Sequence, residues 1–136
     1  MGIHIGLVQV PEPLLQGSCG NIFLVSSFNY IILKLNALKD RVEDEVSDYG
    51  RHHAYDIFAT VIDMDENDWR NAIGHLQNER EKPYIQSAIE LAKTFFGHEE
   101  AMGVIRLKEN KAYQNDAAIF NSYLNEVRND LLELFS

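Results

Sequence analysis

Two residues of opposite charge, Lys34 and Asp56, are the side chains in this sequence best placed to do chemistry. Lys34 falls on a predicted helix in line with Tyr30 and Arg41, about a quarter-turn from the helix's apolar stripe. Asp56 falls on the following helix, on the same polar line as His52. An ammonium at a helix edge can neutralise a phosphate, and a neighbouring carboxylate can orient it through a charge-assisted hydrogen bond. The pair therefore predicts either a nucleotide-phosphate contact or an interhelical salt bridge.

Arg41 extends this polar line by two helical turns beyond Lys34. Its guanidinium is predicted either to bind phosphate or, as the simpler interpretation, to pair with one of three nearby acids, Asp44, Glu45 or Asp56. For the neighbouring cations Lys39 and Arg51, the simpler interpretation is a solvated helix face.

His52 offers a second kind of chemistry, because it lies four residues before Asp56. An imidazole and a carboxylate at that spacing on one helix face form half of a zinc site. A third ligand would have to come from elsewhere, such as His4 or His75, and no spacing in the sequence indicates one. We therefore predict no metal site.

Two helices are predicted to position these residues, within the stretch from Ser26 to Val61. Ser26 or Ser27 is a suitable N-cap for the first helix, and Asp48-Tyr49-Gly50 forms the turn before the second. Each helix has a complete apolar face at helical spacing. The predicted core residues are Phe28, Ile31, Ile32, Leu35, Leu38 and Val42, followed by Ala54, Ile57, Phe58 and Val61.

Four further helices are predicted towards the C-terminus. The third begins at the cap Asp65 with Asp68 at its N3 position and carries Trp69, Ala72, Ile73 and Leu76 on its apolar face. The fourth begins at Pro83 and ends at Gly97. The fifth covers residues 99–108, and the sixth begins near Asn115 or Asp116 and buries a stripe that includes Phe120 and Tyr123. A core position is the favoured interpretation of Trp69, and a ligand-stacking role is the alternative.

The N-terminal residues have a different pattern. Ile3 to Val10 and Ile22 to Val25 are rich in β-branched residues and predict two short strands. The predicted fold is therefore a single domain of the mainly α (α+β) class, with a β-ribbon at residues 1–25 and a bundle of about six helices at residues 26–136. An exposed ribbon edge also predicts a homodimer through this segment.

The central stretch resembles a known family. It contains KLNALKDR, then RHHAYDIFATV, then DENDW, and over about Val10 to Trp69 it resembles the C-terminal helical half of nucleotidyltransferase toxins of the AbiEii/AbiGii type. That family joins a polymerase-β-like nucleotidyltransferase lobe to a helical lobe. The resemblance implies that Lys34 contacts the triphosphate of an NTP, that Asp56 orients it, and that Arg41 and His52 contribute to nucleotide binding.

The sequence departs from the family at its metal-binding signature, a Gly-Ser followed by paired acids. Here Gly17-Ser18 is not followed by an acid until Asp40. A complete family member would use Mg²⁺ and an NTP and pair with an antitoxin protein. This chain is expected to be catalytically incomplete and to use neither ligand alone. The alternative hypothesis is a non-enzymatic, acidic helical module for interaction or dimerisation.

Composition limits the function further. The chain has 136 residues and a net charge of −9, from 21 acidic and 12 basic residues, which argues against nonspecific nucleic-acid binding. Its single cysteine, Cys19, excludes an internal disulfide and favours a reducing, cytoplasmic location. No signal peptide and no apolar run long enough for a membrane span are predicted.

Overall fold

The computed structural model describes residues 7–8 and 23–136 of the chain. Across these residues it contains seven helices joined by short connections. The helices are α1 (Ser27–Arg41), α2 (Tyr49–Asp63), α3 (Glu66–Glu79), α4 (Pro83–Phe96), α5 (Met102–Glu109), α6 (Lys111–Asn115) and α7 (Ala117–Leu134).

The predicted α+β class is wrong, because the described fold is all-helical. Within residues 7–8 and 23–136, strand pairing is limited to two antiparallel residue pairs, Leu7 with Leu24 and Val8 with Phe23. Two pairs are too short to form a ribbon that serves as a layer of the fold. The remainder of the predicted strands lies outside the described residues. A helical bundle is correct in part, with seven described helices instead of about six.

Local chemistry explains where several helices begin. The Ser26 hydroxyl accepts a hydrogen bond from the Asn29 amide and caps α1. Asp65 and Asp68 form a reciprocal capping box at the start of α3, as predicted. Pro83 occupies the first turn of α4, where its missing amide hydrogen costs nothing.

The helix α2 packs against both α1 and α5. The helix α4 contacts α1, α5 and α7, so it connects the first described helix to the last one. All ten apolar residues predicted for the faces of α1 and α2 are buried. The core continues through α4, α5 and α7 and includes the aromatic side chains Phe95, Phe96, Tyr113 and Phe135.

The short helix α6 was not predicted. Asn110 ends α5, and its side-chain oxygen accepts hydrogen bonds from the amides of Ala112 and Tyr113, so the same residue caps α6. The ring of Tyr113 is thereby turned into the core against Phe58. The predicted fifth and sixth helices therefore correspond to α5 and α7, with an extra turn of helix between them.

Candidate functional site

Lys34 and Asp56 meet across the contact between α1 and α2. Lys34 Nζ donates a hydrogen bond to Asp56 Oδ2 at 2.9 Å, and the two side chains are 18% and 34% exposed. Each residue projects from the polar line of its helix, as the helical spacing indicated. The structure therefore brings the predicted pair together as an interhelical, half-buried salt bridge.

The Lys34 ammonium has two further neighbours. It lies 3.4 Å from His53 Nδ1 and 5.4 Å from the centre of the Tyr30 ring. Burial by itself would lower the pKa of Lys34, but the hydrogen bond and charge of Asp56, together with Tyr30, raise it above its usual value. The ammonium is thus held charged, and its strongest partner is already a carboxylate of this chain.

His53 also lies at this site, beside Lys34. Burial lowers the pKa of His53, and the nearby Lys34 charge lowers it further, against the opposing effect of Asp56. Because Lys34 is a donor only, its contact requires an unprotonated Nδ1 on His53. The neutral imidazole therefore carries its hydrogen on Nε2.

Arg41 does not join this cluster. Its guanidinium lies 5.0 Å from the centre of the Tyr49 ring, in a cation–π contact at the end of α1. Among the described residues, no acid lies within salt-bridge distance of Arg41. The predicted pairing with an acid is therefore not seen, and Arg41 is not placed beside Lys34.

His52 and Asp56 line a small cleft of about 220 Å³, together with Arg51 and Lys111. Within residues 23–136, no three His, Cys, Asp or Glu side chains come together in a way that could hold a metal ion. The cluster around Lys34 offers a single carboxylate, which is already bonded to the ammonium. A phosphate bound by Lys34 would therefore have to displace Asp56 from the ammonium.

A second polar network was not predicted from the sequence. It joins α5 to the corner between α1 and α2, at residues 42–48. Arg106 is 3% exposed, and it donates to the Val42 carbonyl oxygen at 2.6 Å and to Glu109 Oε1 at 2.8 Å. Glu109 also accepts from Arg51 Nε at 3.1 Å. Burial would raise the pKa of Glu109, but hydrogen bonds from Arg106 and Arg51 hold it below its usual value.

Arg51 is consequently not a solvated side chain as predicted. Its guanidinium also donates to the carbonyl oxygens of Glu45 and Ser47 and to Asp48, and its own carbonyl oxygen accepts from Asn110. Helical spacing gives no signal for this network, because it depends on α5 packing on α2. These hydrogen bonds tie α5 to α2 and to the end of α1.

A concavity with apolar walls lies along α7, beside α3 and the end of α2, and we refer to it as the α3–α7 groove. It consists of two hollows, of about 510 and 390 Å³, that share Trp69 and Asp130. Ile73 of α3 and Tyr123 of α7 were predicted to be buried, yet they are 48% and 47% exposed. Each lines one of the two hollows, so part of the apolar surface that the core does not cover lies in this groove.

Three acids of α7 also line the α3–α7 groove: Glu126, Asp130 and Glu133. Their spacing of four and three residues places them on one face of the helix. Burial, together with the negative charges of Glu126 and Glu133, raises the pKa of Asp130. The groove therefore combines an apolar wall with a row of mutually repelling carboxyl groups.

Comparisons of the chain with protein-family models, with curated proteins and with solved structures find no match. The resemblance to nucleotidyltransferase toxins therefore stays a prediction. In the part of the chain that the structure describes, none of the helices combines the length and the hydrophobicity needed to cross a bilayer.

Proposed function

We propose that the chain is a non-enzymatic helical interaction module that binds a segment of a partner protein in the α3–α7 groove. The observation that carries this proposal is the exposure of Ile73 and Tyr123, each of which lines one of the two adjoining hollows of this groove. Neither side chain is buried by the packing of α3 or α7 on the core, so the fold alone does not account for an apolar residue at these two positions. An apolar groove between two helices is a common receptor for an amphipathic helix, which inserts side chains at helical spacing.

The polar residues of the structure support binding over catalysis. The charged side chains with the most extensive bonding, Lys34, Arg51 and Arg106, are each engaged by carboxylates of the chain itself. A catalytic lysine or arginine needs its charge directed at a reactant. Their arrangement therefore supports a structural role for these three side chains.

The chain contains a suitable reporter for this proposal. Trp69 is the single tryptophan, and it lines both hollows of the α3–α7 groove. A designed amphipathic helical peptide with leucines on one face, glutamines on the other and no aromatic residues should change Trp69 fluorescence saturably. Absence of any saturable change up to about 1 mM peptide, where binding is worth only about 4 kcal/mol, would refute the proposal.

A matched pair of variants locates the binding surface. Ile73→Gln removes an exposed apolar side chain from the groove and should weaken the peptide several-fold. Ile119→Gln removes a side chain of the same type that is also exposed but lies outside both hollows, and it should leave affinity unchanged. Equal effects of the two substitutions would mean that the peptide binds elsewhere.

A second candidate function is the nucleotide-phosphate contact implied by the family resemblance. The observation that favours it is that Lys34 and Asp56 converge and that Asp56 borders a cleft with Arg51, His52 and Lys111. Phosphate binding there would require Lys34 to exchange Asp56 for the ligand. Calorimetric titration with an NTP and Mg²⁺ tests this function: heat that is lost in Lys34→Met supports it, and no heat rejects it.

The partner and location follow from these candidates as proposals. An antitoxin-like protein, as the resemblance implies, would occupy the groove of an interaction module, and the single cysteine favours a cytoplasmic setting. A homodimer is a separate proposal, and sedimentation velocity of the full chain at several concentrations tests it directly.

A further inference from the structure

The chemistry of the α3–α7 groove narrows the kind of segment that it accepts. Its wall supplies Trp69, Ile73 and Tyr123, while one edge carries three carboxyl groups of α7 at Glu126, Asp130 and Glu133. From Tyr123 to Leu134 this edge runs for roughly 17 Å along the helix axis, at a rise of 1.5 Å per residue. That length matches about three turns of a second helix laid beside α7.

The carboxyl groups on this edge are not neutralised within the described part of the chain. No lysine or arginine of residues 23–136 lies within salt-bridge distance of Glu126, Asp130 or Glu133. Arg80 lines the same hollow, but its guanidinium donates to the carbonyl oxygen of Ser136. The edge therefore has a local negative potential that no ion pair within the described residues offsets.

Asp130 lies at the centre of this row of carboxyl groups. Its pKa is raised by burial and by the two flanking glutamates, so its charged form is disfavoured in the free protein. A cation placed over Asp130 would favour the charged form and remove this penalty. The electrostatic gain from a cationic ligand is consequently largest at the centre of the row.

We propose that the natural occupant of the α3–α7 groove is a basic amphipathic helix of another protein, with apolar side chains against Trp69 and Ile73 and lysines or arginines against the α7 carboxylates. This proposal rests on the proposed function as an interaction module and adds the charge of the partner. The occupant needs cations at a spacing of three and four residues, since that is the spacing of the acids it meets.

A second copy of this chain is a poorer occupant of the groove. The chain carries a net charge of −9, and two grooves facing each other would bring two rows of carboxylates together. Like charges placed opposite one another across an interface cost several kcal/mol in specificity. Charge complementarity therefore selects a cationic segment over self-association through this surface.

The test uses the full chain and three peptides that share one leucine face and differ only in the opposite face, which carries lysine, glutamine or glutamate. Trp69 fluorescence and calorimetry should give the affinity order lysine, glutamine, glutamate. The lysine peptide should bind about tenfold tighter than the glutamine peptide at low salt. This advantage should shrink as added salt screens the exposed charges.

A charge-neutral variant and a matched control identify the acids responsible. The triple variant Glu126→Gln, Asp130→Asn, Glu133→Gln should bind the lysine and glutamine peptides equally. The control Glu43→Gln, Glu99→Gln, Glu100→Gln changes the net charge equally at exposed positions outside the groove, and it should retain the preference. Circular dichroism confirms that both variants are folded.

The outcomes separate this inference from the proposed function. If the lysine and glutamine peptides bind the unchanged protein equally well, the inference is overturned and the interaction module stands. If none of the three peptides binds, both fail. If sedimentation shows a dimer that Ile73→Gln dissociates, the occupant is a second copy, and the inference of a basic partner is wrong.

Discussion

The buried guanidinium of Arg106 in α5 donates a 2.6 Å hydrogen bond to the carbonyl oxygen of Val42, the residue that follows α1. Because Arg106 is almost fully buried and also bonds Glu109, its removal leaves a buried carbonyl oxygen without its donor. We expect Arg106→Met to lower the free energy of unfolding by about 2–4 kcal/mol in urea denaturation.

Arg106→Lys separates the charge from the geometry of this contact. A lysine keeps the charge but lacks the planar fork that serves Val42 and Glu109 together, so we expect an intermediate loss. The control Lys108→Met changes an exposed cation on the same helix and should alter stability by less than about 0.5 kcal/mol. Equal losses for Arg106→Met and Lys108→Met would contradict the structural role of Arg106.

The Lys34–Asp56 pair should show a measurable coupling free energy. A double-mutant cycle with Lys34→Met and Asp56→Asn is expected to give about 0.5–1 kcal/mol, since the pair is short and half-buried. The looser pair of Lys82 with Glu79, at 3.7 Å and more exposed, is the control and should give almost no coupling. Indistinguishable couplings would show that the interhelical pair adds nothing to stability.

Protonation of His53 should destabilise the fold. Its pKa is lowered in the folded chain by burial and by Lys34, whereas in the unfolded chain it returns to about 6.5. Stability is therefore fully present above about pH 6.5 and is lost as the pH falls from there through the folded pKa. In His53→Gln, this part of the pH dependence should disappear from urea denaturation curves.

His98→Gln provides the comparison for this pH profile. It removes an exposed histidine from the connection after α4, away from Lys34, and the decline of stability below about pH 6.5 should persist. If the unchanged protein and His53→Gln lose stability in parallel as the pH falls, His53 is not the group responsible.

Gly103 lies where α5 approaches α4 closely, at Phe95. A Cβ atom at this position would collide with the carbonyl oxygen of Phe95 and would lie 2.9 Å from its Cβ atom. Gly103→Ala should therefore push the two helices apart and cost about 1–3 kcal/mol of unfolding free energy.

Gly74 in α3 is the matched control for that substitution. No atom lies within 4 Å of the position that its Cβ would take, so alanine there should increase stability by about 0.5–1 kcal/mol through its higher helix propensity. A loss of stability in Gly74→Ala, or no loss in Gly103→Ala, would contradict the packing described for these helices.

The parts of the fold that were predicted correctly depend on residues that are close together in the sequence. The caps at Ser26 and Asp65, the start of α4 at Pro83 and the buried faces of α1 and α2 follow from spacing within one helix. The meeting of Lys34 with Asp56 was also anticipated, since each occupies the polar line of an amphipathic helix next to the other.

The features that were missed depend on how helices that are distant in the sequence pack against one another. An apolar stripe shows that one face of a helix avoids water, but not whether another helix covers all of it. Ile73 and Tyr123 continue their stripes and were assigned to the core, yet they border the α3–α7 groove. Arg51 was predicted to lie on a solvated helix face and no role was predicted for Arg106, because both side chains bond across contacts that α5 makes with distant parts of the chain.

The bonds from Arg51 to Glu109 and from Arg106 to Val42 join positions that are 58 and 64 residues apart. Bringing such distant positions together costs more chain entropy than pairing α1 with α2, which are joined by a short connection. During refolding, amides within α1 and α2 should therefore resist exchange with deuterium before those of the corner at residues 42–48. In the native protein, the same corner is expected to open whenever α5 detaches, so a protease would cut there ahead of global unfolding.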